Sequence, residues 1–259
     1  MRRFDGQLAT QPAAADGSCY VQHGNTKVVC TVTGPAEASM RTRQLHDRAS
    51  VTVEVTYAAF SGTERKRRGR NDKYPPSSSP QEKGPRLTGP RRVQEMRTML
   101  ARTFAQAILT HLHPRSEITI QLHILSQDGG VLAACVNAST LALIDAGVPM
   151  TDYVVAVSAA STTVTATTAA AATADDDDGS GREPLLDVNG IEESDLPTLT
   201  VATLGATEKI TLLQMENKVP LAALEGMLAV AVDGCAKLRD LLDRVVRRHG
   251  NEVARSGAL

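Results

Sequence analysis

Gln127-Asp128-Gly129-Gly130 stands directly before a long apolar run that opens at Val131 and Leu132. A Gly-rich turn that opens a helix aims backbone N–H groups at one point and makes an anion site. By itself this signal is weak, because many turns precede helices. A second charged feature follows Phe60-Ser61-Gly62-Thr63-Glu64: Arg65, Lys66, Arg67, Arg68, Arg70 and Lys73. Such a run either keeps a loop solvated or contacts a phosphate backbone. A third is Asp175-Asp176-Asp177-Asp178. A metal site needs ligands held at fixed geometry, and this run lies in an Ala-rich, low-complexity stretch, so it reads as a solvated loop.

The remaining reactive side chains argue against other chemistries. His111 and His113 are two apart and share no helical face, and His123 alternates onto the polar side of its strand. No histidine has a Cys or carboxylate partner at metal-ligand spacing, so neither a metal nor a cofactor is expected. No Gly-x-Ser-x-Gly, phosphate-binding P-loop or dinucleotide fingerprint occurs. Cys19, Cys30, Cys135 and Cys235 are far apart, each in an apolar segment. Buried free thiols are expected, in keeping with a reducing compartment. The formal net charge of −1 requires any nucleic-acid contact to be a local patch. No apolar run reaches the roughly 20 residues of a membrane span, and no apolar block follows Met1-Arg2-Arg3-Phe4.

The elements that must position these residues follow from hydrophobic period. Ser18 to Gln22 and Thr26 to Thr33 read as strands joined by a tight turn at Gly24-Asn25. Val51, Val53, Val55 and Tyr57 alternate with polar residues and predict another strand. Phe60 to Pro90 lacks any period and reads as a loop. Arg91 to His111 predicts a helix with Val93, Met96, Leu100, Phe104, Ala107 and Ile108 on one face, stopped by Pro114. Ile118 to Ile124 predicts a half-buried strand. Leu132 to Asp145 is a nearly all-apolar helix, hence central, with Gly147 at its end. Val154 to Thr168, Leu185 to Val188, Thr198 to Thr203 and Lys209 to Met215 read as β. Pro220 opens a last long helix with Leu221, Leu224, Leu228, Val232, Cys235, Leu238, Leu242 and Val245 buried. The order implies an α+β fold, helices packed on mixed β-sheets in two strand-helix halves.

Several ordered motifs resemble the RNase PH family, and within it the ring subunits of the eukaryotic exosome, of fungal type. They are Asp16-Gly17-Ser18-Cys19-Tyr20, Gly24-Asn25-Thr26-Lys27, Gly34-Pro35, Phe60 to Lys66, His113-Pro114-Arg115-Ser116, Gln127 to Gly130, Leu143 to Met150, and Leu186-Asp187-Val188-Asn189 through Glu193. The resemblance implies one RNase PH-like domain over residues 1–259, with flexible insertions at about 66–90 and 169–183. The usual Arg-x-Asp-Gly-Arg motif is missing, and Met1 to Phe4 resembles the interior of the family's first strand. The first sheet is therefore expected to lack part of a strand, as in an N-terminally truncated chain.

The resemblance also implies a hexameric ring with a central channel, an RNA-binding cap subunit, an associated hydrolytic nuclease and single-stranded RNA as partners. It implies residence in nucleus, nucleolus and cytoplasm, away from membranes. Active members cleave RNA from its free end with inorganic phosphate as the nucleophile. By this likeness Arg102 matches a phosphate-binding arginine, Asp187 an acidic position, and Glu193 a position where active relatives carry Asp. Val131 and Leu132 stand where those relatives have Ser or Thr followed by Arg. Neither offers a donor or a charge, and each lost charge-assisted contact costs on the order of 3 kcal/mol. The expectation is a non-catalytic, RNA-guiding subunit in which Arg65, Lys66, Arg67 and Arg68 meet the RNA backbone. The alternative is an active phosphate-dependent 3′-to-5′ exoribonuclease.

Overall fold

The computed structural model describes residues 1–37, 44–62, 90–162, 183–205, 207 and 209–256. The basic run and the Asp run lie outside them, as do both expected insertions apart from Pro90 and Glu183. The first sheet holds strands β1 (Phe4–Leu8), β2 (Gly17–His23), β3 (Thr26–Glu37), β4 (Ser50–Tyr57) and β5 (Ser116–Ser126). Their order is β1-β2-β3-β5-β4. All pairs are antiparallel except β4 with β5, which run parallel. The parallel pair requires a crossover, which contains helix α1 (Pro90–Ala107), packed on β4. The turn between β2 and β3 is the expected one, with Gly24 at φ +62°.

The second sheet holds β6 (Val154–Ser161), β7 (Pro184–Leu186), β8 (Thr198–Leu204) and β9 (Ile210–Met215), in the order β7-β6-β8-β9, all antiparallel. Helix α2 (Val131–Asp145) packs on β2 and β3 of one sheet and on β6 and β8 of the other. Every residue from Val131 to Leu143 is buried, which is why its sequence is nearly apolar all round. Its polar residues are satisfied: Asn137 exchanges two 2.9 Å hydrogen bonds with the backbone of Ala156. Gly17 lets β2 approach, since a Cβ there would lie 2.4 Å from Ala142 O.

Two sequence expectations need correction, and two elements lay outside the periodic signal. Helix α1 ends at Ala107, well before Pro114. The backbone turns there into an extended contact: Ile108 bridges Met150, and Thr151 N–H donates to Ala107 O at 2.8 Å. A single 3-10 turn, Thr110–Leu112, follows. Phe4–Leu8, whose strand character the period did not reveal, pairs with β2 along its whole length. The short helix α3 (Gly190–Asp195) had no periodic signature. It forms because Asn189 and Glu192 make a reciprocal capping box. In α4 (Leu221–Ser256) the buried face at the start runs through Met227 and Ala231, while Leu221 is 70 % exposed. From Cys235 through Leu238 and Leu242 the stripe is as expected. All four cysteines are free and buried.

Candidate functional site

The turn before α2 is held on three sides. Thr26 Oγ accepts the Asp128 N–H at 3.0 Å and donates to Gly129 O at 2.8 Å. Asp128 accepts Asn25 Nδ2 at 2.9 Å and the Gly190 N–H at 3.0 Å. Gln127 N–H donates to Ser61 O at 3.1 Å, which ties the turn to the chain just after β4. Gly129 has φ +74°, and a Cβ there would lie 2.5 Å from Val188 O. The turn therefore needs glycine for both its backbone angle and its close approach to 188–189.

Beyond the turn, Val131 and Leu132 are 3 % and 7 % exposed and belong to the main core. Their side chains pack and present no donor. The first amide at this helix end is taken by the chain itself: Glu193 Oε2 accepts the Gly130 N–H at 3.0 Å. Burial pushes the Glu193 carboxyl above its ordinary range, against the opposing pull of the Gly130 hydrogen bond.

Asp187 lies next to this contact, at φ +65°, with its side chain 1 % exposed. Arg2 N–H donates to Oδ2 at 2.5 Å, and the Arg2 guanidinium donates to Oδ1 from Nε at 3.1 Å and Nη2 at 2.9 Å. His23 Nε2 lies 3.0 Å from Oδ2. The same guanidinium donates to the carbonyls of Asp128 and Gly129. Burial alone would raise the Asp187 pKa, but His23 and Arg2 outweigh it and hold the carboxyl well below the usual range.

The two acids suggested by sequence, Asp187 and Glu193, are thus brought together at the turn. Arg102 is not. It is exposed on α1, ten residues beyond Arg92, or about 15 Å of helix rise. Arg92 is the α1 arginine at this end: it pairs with Glu216 at 3.1 Å, and both charges act on Glu193. Sequence spacing gave no means of choosing between them, because the choice depends on where α1 crosses β4 and β9. Arg2 and His23 were also missed, since they sit in local patterns that read only as strand. Arg65, Lys66, Arg67 and Arg68 lie outside the described residues. Among the described residues no group of three or more His, Cys, Asp or Glu could hold a metal ion, and no helix is long and apolar enough to cross a membrane.

Models of the 3′ exoribonuclease family match residues 1–149 with domain 1 (RNase PH) and residues 152–234 with domain 2 (RNase PH, C-terminal), and the chain belongs to this family. Exosome complex component SKI6 of Saccharomyces cerevisiae is 34 % identical over 97 % of this chain and 88 % of its own length. Exosome complex component RRP41 of Homo sapiens is 40 % identical over 93 % of this chain and 85 % of its own. The crystal structure of rice Rrp46 superposes with a TM-score of 0.72 at 18 % identity, covering 95 % of each chain, and so shares the fold.

Proposed function

We propose that this chain is a non-catalytic ring subunit of an RNA exosome, supporting 3′-to-5′ degradation and processing of RNA, ribosomal RNA included, by an associated hydrolytic nuclease. Its curated relatives are named as exosome complex components. The observation that carries the non-catalytic reading is the start of α2. Val131 and Leu132 are buried in the core where a phosphate-using relative would present a hydroxyl and a guanidinium. A phosphate dianion at that spot loses contacts worth on the order of 3 kcal/mol each, a rate factor of a hundred or more. Arg102 is too far along α1 to compensate.

In this reading Arg65, Lys66, Arg67 and Arg68 guide single-stranded RNA by its phosphates, without sequence preference. Partners are other RNase PH-like subunits, an RNA-binding cap subunit and the hydrolytic nuclease, in nucleus, nucleolus and cytoplasm. The rival reading, an active phosphorolytic enzyme, draws on the presence of both Asp187 and Glu193. The deciding experiment incubates the reconstituted ring with RNA and inorganic phosphate. The proposal expects no nucleoside diphosphate above background; phosphate-dependent release that is lost in Asp187→Asn would overturn it.

A further inference from the structure

The N-terminal end of α2 carries the positive pole of a fifteen-residue helix and its first unpaired amides. In this chain the first of those amides is already taken. Glu193 Oε2 takes the Gly130 N–H at 3.0 Å, carried there by α3, whose start is set by the Asn189–Glu192 capping box. A second group beside it is unused. Ser158 is 3 % exposed, and its Oγ has no hydrogen-bond partner among the described residues. A Cβ at position 130 would lie 3.0 Å from that Oγ and 3.4 Å from Arg2 Nη2. The amide and a spare hydroxyl lie here together, beside the Arg2 guanidinium, whose Nη2 already donates to Asp187 and to the Gly129 carbonyl. The unused hydroxyl is hydrogen-bonding capacity that the Glu193 carboxylate leaves over, and with a positive charge beside it the spot suits an oxyanion.

We propose that Glu193 is the resident anion of this helix end, an internal competitor that keeps external phosphate off the Gly130 amide. This deepens the proposed function and rests on its reading of the site. Val131 and Leu132 remove attraction for phosphate, and Glu193 adds exclusion. A dianion entering here must approach a carboxylate within a half-buried site, where like charges repel strongly, or displace it from the amide. The length of the side chain decides the contact. Aspartate is shorter by one carbon–carbon bond, about 1.5 Å, and from the same backbone position falls short of the amide.

The test uses the full chain in its reconstituted ring, with inorganic phosphate as the probe and isothermal titration calorimetry as the readout. V131T/L132R restores the two donors; V131T/L132R/E193D also withdraws the competitor. The triple variant is expected to bind phosphate about tenfold or more tightly than the double. Equal affinity overturns the inference. A second measurement needs no change in the core. In the ¹⁵N-labelled full chain the Gly130 amide proton should shift with pH as Glu193 ionises, and E193Q should abolish that shift. A Gly130 resonance insensitive to pH also overturns it. Phosphorolysis by the unaltered ring would sink both this inference and the non-catalytic reading, whereas equal phosphate affinity of the double and triple variants sinks this inference alone.

Discussion

Arg2 and Asp187, 185 residues apart in the chain, meet through three hydrogen bonds: the Arg2 N–H to Oδ2 at 2.5 Å, and guanidinium Nε and Nη2 to Oδ1 at 3.1 and 2.9 Å. The pair fastens the first strand's approach to the turn after β7, and it sets a permanent positive charge beside a buried acid. Arg2→Ala leaves Asp187 with the His23 ring and the backbone N–H of residue 2 as its partners. Breaking a buried pair in this way costs about 3 kcal/mol or more. The loss is read from the midpoint of urea or thermal unfolding.

The same pair sets an acid dependence. Asp187 titrates lower in the folded chain than in the unfolded one. The stability it supplies is therefore fully present above the ordinary Asp value, about 4, and is lost as pH falls through the folded value. The stability difference between wild type and Arg2→Ala should be largest at neutral pH and shrink below about pH 4. A difference that stays constant from pH 7 to pH 3 would contradict this assignment.

Glu193 carries the opposite sign. Its folded value is raised, chiefly by burial, with Glu216 adding to the rise and Arg2, Arg92 and the Gly130 N–H opposing it; Tyr57 also faces it. Its contribution is present below the unfolded value and lost as pH rises through the folded one. Glu193→Gln keeps an acceptor oxygen for Gly130 without the charge. It should stabilise the protein at pH 7 and confer no gain at pH 4, as measured by unfolding at the two pH values.

Two glycines separate backbone strain from collision. Gly147 has φ +68°, and a Cβ added there would meet nothing within 4 Å. Gly147→Ala should therefore cost about 1 kcal/mol, the penalty of a left-handed angle alone. Gly129 combines φ +74° with a Cβ position 2.5 Å from Val188 O. Gly129→Ala should cost several times more and loosen the turn that carries Asp128, seen as faster amide exchange at Gly130.

The basic run is tested through salt. Replacing Arg65, Lys66, Arg67 and Arg68 by Ala in the reconstituted ring should weaken binding of single-stranded RNA at every sequence. Each lost phosphate contact lowers the slope of log affinity against log salt by about 0.7, so four lower it by about 3. An unchanged slope with unchanged RNA protection would refute the guiding role.

Much of the fold was legible because period and burial coincide. Alternation in Val51 to Tyr57 and Ile118 to Ile124, and the nearly all-apolar run from Leu132 to Asp145, gave strands and a central helix where they stand. The end of α1 was not legible, because it depends on a bridge to Met150, far along the chain. Helix α3 was not legible either, because a cap rather than a period makes it.

At the site, the sequence by itself determined what positions 131 and 132 can offer: the side chains of valine and leucine carry neither donor nor charge in any fold. It also determined that two acids and a Gly-Gly turn are present. Only the tertiary structure decided who meets whom: that Arg2 and His23 hold Asp187, that Glu193 reaches the Gly130 amide, and that Arg92 rather than Arg102 stands at this end of α1. The physical reason is that hydrogen bonds and ion pairs act over about 3 Å. Distances that short, between residues far apart in the chain, exist only once both sheets have closed on α2.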